Sequence, residues 1–261
     1  MKWIKPTSFH CTQIQTLTFW VIFLCISPLS LAESLPSTTL EVGKFSTAQP
    51  GDIFPAGWKP LTFKNIKEHT VYELVKDKEG VVVKSVSTAS ASALSRKISL
   101  NPKEFPIVQW SWKVENILKK GNASRKDGDD YPARLYITFA YDSKKVGLLE
   151  KAKYEGAKLF YGQYPPLNAI NYIWGSNSPI GTVISNPYTD RVQMFVIQSG
   201  AEELDQWVTE EQNIYKDYLQ AFGEEPPHIS GVAIMTDTDN TQETGIAYFG
   251  DIVFKRQNIK K

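Results

Sequence analysis

Three side chains that carry or polarise charge crowd one short loop near the C-terminal end. Asp237, Asp239 and Asn240 fall within four positions, where they must be solvated, hydrogen-bonded or given a cation. A second acidic pair, Asp129 and Asp130, closes the polar stretch 117–131, and Arg134 follows at the mouth of a strand. Carboxylates beside one guanidinium suit three roles: local ion pairs, a hydroxyl-binding site helped by a cation, or an acid–base pair for hydrolysis. A third group, Asn171, Tyr172 and Trp174, sets an amide beside aromatic faces. That composition matches sugar hydroxyls and C–H faces, and it also closes cores. Ca²⁺ takes six to eight oxygen ligands as a rule, so Asp237 and Asp239 with loop carbonyls form a candidate site for it. The spacing is not that of an EF-hand, whose glycine and terminal Glu are misplaced here.

The elements that must position these residues read as short strands. Val108, Trp110, Trp112 and Val114 share one parity in 107–114, with Gln109, Ser111 and Lys113 on the other, which predicts a strand with one buried face. The Trp pair is therefore assigned to the core. In 134–141, Leu135, Ile137, Phe139 and Tyr141 point one way and Arg134 and Tyr136 the other. Runs at 71–75, 81–86 and 96–100 have hairpin spacing. The C-terminal stretch 231–254 reads as two strands around the Asp237–Asn240 loop, with Ile246, Tyr248, Ile252 and Phe254 on one parity. Helical spacing of Val146, Leu149, Ala152, Gly156 and Phe160 predicts a helix over 143–160. A second helix is expected after the capping-box pattern Thr209-Glu-Glu-Gln212, with Ile214, Tyr218 and Phe222 as its stripe and Gly223 as its stop. About nine or ten strands and two short helices, without βαβ alternation, predict a mainly β protein built as an antiparallel β-sandwich.

The chain of 261 residues, 42% hydrophobic with a formal charge of +1, suits one soluble domain and gives no electrostatic case for nucleic acid. Lys2 and Lys5, an apolar stretch at 17–31 and Ser30-Leu31-Ala32 predict an export signal over 1–32, cleaved after Ala32. An uncleaved anchor is the alternative reading. No membrane span is expected after cleavage. A linker or irregular arm is expected over 33–57, one domain over 58–256 and a tail over 257–261. Both cysteines, Cys11 and Cys25, lie in the presequence, so the mature chain has neither disulfides nor thiol chemistry. This places it in a bacterial periplasm or at the cell exterior. With only His69 and His228 in the mature chain, a multi-histidine zinc site is excluded.

Five separated motifs together resemble a known family: Trp110-Ser-Trp112, Gly128-Asp-Asp-Tyr-Pro-Ala-Arg134 with Tyr136 and Phe139, Asn171-Tyr-Ile-Trp174, Asp217-Tyr218 with Phe222-Gly223, and Met235-Thr-Asp-Thr-Asp-Asn-Thr241 with Tyr248-Phe-Gly-Asp-Ile252. The family is the bacterial domain of unknown function 3047. The resemblance implies a secreted sandwich similar to galactose-binding-like jelly rolls, and it supplies no activity.

Two functions from different classes follow. In the first, the protein binds a glycan or similar polar polymer, with Asn171, Tyr172 and Trp174 as the platform. Asp129, Asp130, Arg134, Asp237, Asp239 and Asn240 then make the polar contacts. In the second, Asp130 and Asp237 are the acid and base of a glycan hydrolase, with Arg134 orienting them, which needs carboxylates roughly 5 to 9.5 Å apart. A protein partner on an aromatic-rich surface is a third reading.

Overall fold

The computed structural model describes residues 1–3, 38–52, 54–78, 80–161 and 164–257, and of 160 and 161 only the backbone. The chain divides into two units, Met1–Pro36 and Ser37–Lys261. Nearly all of the expected export segment, and most of the expected tail, lie outside the described residues. Among those described, no helix is long and apolar enough to cross a membrane.

The second unit is a β-sandwich. One sheet holds β1 (Thr39–Gly43), β3 (Val71–Asp77), β4 (Gly80–Thr88), β6 (Ile107–Val114), β11 (Val208–Asn213) and β13 (Thr244–Lys255). The other comprises β2 (Trp58–Leu61), β5 (Ala91–Leu100), β7 (Arg134–Phe139), β8 (Ala169–Gly175), β9 (Val183–Asn186), β10 (Thr189–Ser199) and β12 (Ile229–Asp237). Its strand order is β2-β5-β12-β7-β8-β10-β9. The described residues thus form thirteen strands rather than nine or ten. Pairing is antiparallel except between β8 and β10, which run parallel, because the chain leaves β8, forms the edge strand β9 and returns between the two.

Alternation in β6 is borne out: Val108, Trp110, Trp112 and Val114 are buried against the opposite sheet. Trp110 stacks on Tyr172 at 5.2 Å, and Trp112 meets Trp174 edge-on at 5.9 Å. These aromatic pairs join the two sheets across the core. A polar seam continues the junction toward the loops. Ser85 and Thr236 hydroxyls lie 2.6 Å apart, and Ser87 and Thr238 hydroxyls 2.9 Å apart, all buried.

Several local expectations are corrected. The stretch 231–254 does form two strands around a loop, and because β12 and β13 belong to different sheets the Thr238–Glu243 loop crosses between them. A bulge between Phe249 and Ile252 switches the parity of β13, so Ala247 and Phe249 are buried while Ile246 and Tyr248 are not. Thr209–Gln212 is strand rather than helix start, because pairing with β6 claims it. The cap of α2 (Ile214–Phe222) is Asn213, whose side chain accepts from the Lys216 N–H, and Gly223 ends the helix at φ 70°. The expected helix is present as α1 (Leu148–Tyr161), but of its expected stripe Leu149 and Ala152 are exposed and Gly156 half-buried, while Val146, just before the helix, is buried; Leu148 and Leu159 are exposed as well. Part of the stretch read as an arm is fastened down. β1 pairs with β13, Phe45 packs on Trp58, and the Ser46 N–H and hydroxyl donate to Asp251 at 2.9 and 2.6 Å.

Gly128 sits where the chain has no room for a side chain: a Cβ there would meet the Asn122 backbone nitrogen at 2.8 Å. Gly128→Ala is expected to lower stability by about 1–3 kcal/mol, measured by urea unfolding, because the clash is with backbone and the Asn122 N–H already donates to the Gly128 carbonyl.

Candidate functional site

The outward parities of three neighbouring strands set the site on the outer face of the seven-stranded sheet, where Ala91, Ala93, Ala233 and Met235 form a buried cluster packed against Ile66 and Tyr136. Strand β5 presents Ala91 and Ala93, β12 presents Ala233, Met235 and Asp237, and β7 presents Arg134, Tyr136 and Thr138. All of these residues line one cavity of about 620 Å³. The floor is low because three of these positions are alanine. Leu61, Phe63 and Ile66, at and beyond the end of β2, wall one side, and Asn186 and Tyr188, at and beyond the end of β9, wall the other. The size falls in the usual range for small-ligand sites.

Arg134 organises the acidic end. It is 3% exposed, and one terminal nitrogen donates to the Asp129 carbonyl at 2.9 Å and to its carboxylate at 3.2 Å. The other donates to the Tyr136 hydroxyl at 2.6 Å. Its Nε lies 3.1 Å from Asp237 Oδ1, as an ion pair at an angle too bent for a hydrogen bond. The guanidinium carbon sits 4.1 Å from the centre of the Tyr131 ring, a cation–π contact inside the protein. Asp237 Oδ1 also accepts from the Tyr131 N–H. Behind this pair, Asp130 accepts from the Asn240 amide at 2.9 Å and from the Thr241 N–H at 2.6 Å, tying the two acidic loops together. Asn186 donates to Asp129, and the Tyr188 hydroxyl lies 3.0 Å from the Asn240 amide oxygen.

Charge is unbalanced: Asp129, Asp130, Asp237 and Asp239 surround a single guanidinium. Burial pushes the Asp237 carboxyl well above the usual range. Arg134 opposes this, and Asp130, Asp129 and Asp239 add to the upward push. Burial, then Asp130, also raises Asp239. Oxygens of Asp130, Asp237 and Asp239 all lie within 4.8 Å of one another, so the three can hold a metal ion. The nearby guanidinium works against such an ion.

Residues 56–253 match the family described as protein of unknown function, DUF3047. The chain belongs to the DUF3047 family. No curated protein matches it. Among solved structures, a mutant family 29 carbohydrate binding module shares 8% identity at a TM-score of 0.35, covering 84% of this chain and 92% of that one. A cleaved adhesin domain of Lys-gingipain from Porphyromonas gingivalis shares 13% at 0.35, covering 85% and 100%. The carbohydrate recognition domain of Emp47p shares 10% at 0.40, covering 84% and 95%. Likenesses at this level carry no functional information, and the site has to be read from its own residues.

In this DUF3047 chain, six of the nine expected site residues converge: Asp129, Asp130, Arg134, Asp237, Asp239 and Asn240. Five of them line the cavity; Asp130 is not among the lining residues. Arg134 pairs with Asp129 and Asp237 in the interior rather than in a surface pair. The expected platform is corrected. Tyr172 and Trp174 are fully buried, the first donating to Asp217 at 2.6 Å and the second to the Gly200 carbonyl at 3.1 Å. Asn171, of opposite parity, is also fully buried, and its amide has no hydrogen-bond partner among the described residues. The reason is placement: β8 is an interior strand covered on both faces. The aromatic rings that do reach the cavity are Phe63, Tyr136 and Tyr188. Tyr136 was within reach of the sequence, since it shares parity with Arg134, whereas Phe63 and Tyr188 stand in loops without periodicity.

Two consequences are measurable. Arg134→Leu strands Asp129 and Asp237 as buried carboxylates without their partner, a change that costs about 3–5 kcal/mol and will show in urea unfolding. The second concerns pH. A carboxyl whose folded pKa is raised binds more protons in the folded than in the unfolded state. Its contribution therefore falls as pH rises from the unfolded value, about 3.9, through the raised folded value. Melting temperatures taken in chelator from acidic to neutral pH are expected to show this decline, and Asp237→Asn to flatten it.

Proposed function

We propose that this protein is exported and binds a glycan or a similar polar polymer on the outer face of its larger sheet, holding it rather than cleaving it. The observation that supports this is the composition of one cavity: the rings of Phe63, Tyr136 and Tyr188 stand beside the carboxylates of Asp129, Asp237 and Asp239 and the amides of Asn65, Asn186 and Asn240. Rings offer flat apolar faces to sugar C–H groups, and the acids and amides accept and donate to hydroxyls. In this proposal Ca²⁺ binds between Asp237 and Asp239, where three carboxylates approach.

The hydrolase reading is the weaker one on the same geometry. Both oxygens of Asp130 are engaged, by the Asn240 amide and the Thr241 N–H, so one member of the pair has no free oxygen, whereas the Arg134 and Tyr131 contacts of Asp237 fall on its Oδ1 alone. A base or nucleophile needs an oxygen free to meet water or an anomeric carbon.

The test is a thermal-shift screen of the protein against Ca²⁺, a chelator and a panel of plant and envelope oligosaccharides. A ligand at one hundred times its dissociation constant stabilises the folded state by about 2.7 kcal/mol. The shift is expected to vanish in Asp239→Ala and to shrink in Tyr188→Ala. The absence of a shift with every glycan would sink the proposal. Release of reducing ends from a shifting glycan would restore the hydrolase.

A further inference from the structure

We infer that the ligand groove carries a second subsite at the end remote from the aspartates, and that the ligand is a linear oligosaccharide lying along β12 rather than across the sheet. The inference rests on the glycan reading above. A second cavity of about 440 Å³ lies on the same sheet face, lined by Ser95, Tyr141, Tyr164, Ser230 and Gly231 among others. Leu61, Thr138 and Ala233 line both cavities, so they form the neck where the two meet. The combined groove follows the strands. Asp237 marks one end and Gly231 the other, six residues apart on β12, or about 20 Å at the usual rise per strand residue.

The floor stays low over this length because of what is missing. Gly231 has no Cβ, and one would come within 3.0 Å of the Thr138 hydroxyl oxygen. Ala233 and Ala93 continue the low track toward the acids.

At the remote end the wall is aromatic. Tyr141 stacks on Tyr154 at 4.1 Å and 17° and leans on Tyr164 at 4.6 Å. The Tyr154 hydroxyl donates to the Pro166 carbonyl at 3.2 Å, and the Tyr164 hydroxyl to Glu155 at 2.7 Å, which holds this cluster against α1. Tyr141 and Tyr164 both line the cavity, and the Tyr141 hydroxyl is buried without a hydrogen-bond partner among the described residues. The inserted helix, whose leucines face solvent, thereby acquires a role: Tyr154 and Glu155 are what brace Tyr141 and Tyr164.

A sugar chain is favoured over a polypeptide because of where the groove lies. It runs over β5, β12 and β7, of which β12 and β7 pair with a strand on each side, and β5 pairs with β12 on one side and with β2 over Ala93–Arg96 on the other. An extended peptide joining a sheet needs an unpaired edge, whereas a sugar chain is held by side chains.

The experiment is calorimetric titration of the full chain with cello-, xylo- and chito-oligosaccharides, each from disaccharide to hexasaccharide. For the class that binds, affinity is expected to climb by about tenfold or more with length. Tyr164→Ala should remove the climb, as should Ala233→Leu, which fills the neck, while Tyr188→Ala should weaken every length. Circular dichroism melts of each variant separate loss of binding from loss of fold. If the hexasaccharide binds no tighter than the disaccharide, or if the climb survives in a folded Tyr164→Ala protein, the second subsite is refuted while glycan binding at the aspartates stands. If no sugar of any length binds, or the groove takes a peptide instead, both the inference and the glycan reading fall.

Discussion

Burying the guanidinium of Arg134 obliges the chain to bring carboxylates to it. A charge that deep in a protein is tolerable only when opposite charges and hydrogen bonds replace the water it has lost. Asp129 comes from the loop before β7 and Asp237 from the end of β12, so meeting that demand fixes the register of two loops distant in sequence. Asp130 extends the bond outward to Asn240 and Thr241. Acid groups then outnumber the base they serve. The surplus, concentrated on Asp237 and Asp239, is what makes this end of the sheet a place where a proton or a cation relieves the crowding of charge.

The crossing from β12 to β13 brings Asp239 and Asn240 to a half-buried position beside the buried Asp129, Asp130 and Asp237. A tight hairpin within one sheet would have kept the loop in the plane of that sheet. By stepping to the other sheet, the chain carries the Thr238–Glu243 segment over the open end of the sandwich, beside the loop from Asn122 to Tyr131. The hydroxyl seam of Ser85, Ser87, Thr236 and Thr238 lies beneath it. Each hydroxyl there has a partner, so the sheets are joined at this end by directed bonds as well as by apolar contact.

Much of this was legible in the sequence, and the losses have physical causes. Alternation gave β6 and β7 their faces, because one side of each meets the core. The crowding of Asp237, Asp239 and Asn240 marked the site without any knowledge of the fold. In β8 the same reasoning failed. All seven of its residues are buried, so neither parity identifies a ligand face, and Tyr172 and Trp174 turned out to hold the sheets together. In β11 polar side chains concealed an edge strand whose backbone pairing with β6 decides its state. In β13 the bulge near Gly250 broke a parity that the spacing alone extends. Phe63 and Tyr188 owe their positions to loop paths that no periodic pattern encodes.

The two edge strands of the larger sheet are each four residues long, and β2 carries Pro60, features that discourage pairing with a further strand. Their second consequence concerns aperture. The groove has its floor on the central strands and its walls at or beside the edges, with Leu61 and Phe63 on one side and Asn186 and Tyr188 on the other. Its width is therefore a function of how strongly the sheet is bowed. A flatter sheet spreads the walls and a more coiled one draws them together, so the width of the groove is set in this architecture by residues in the core that determine curvature as much as by the side chains that line it.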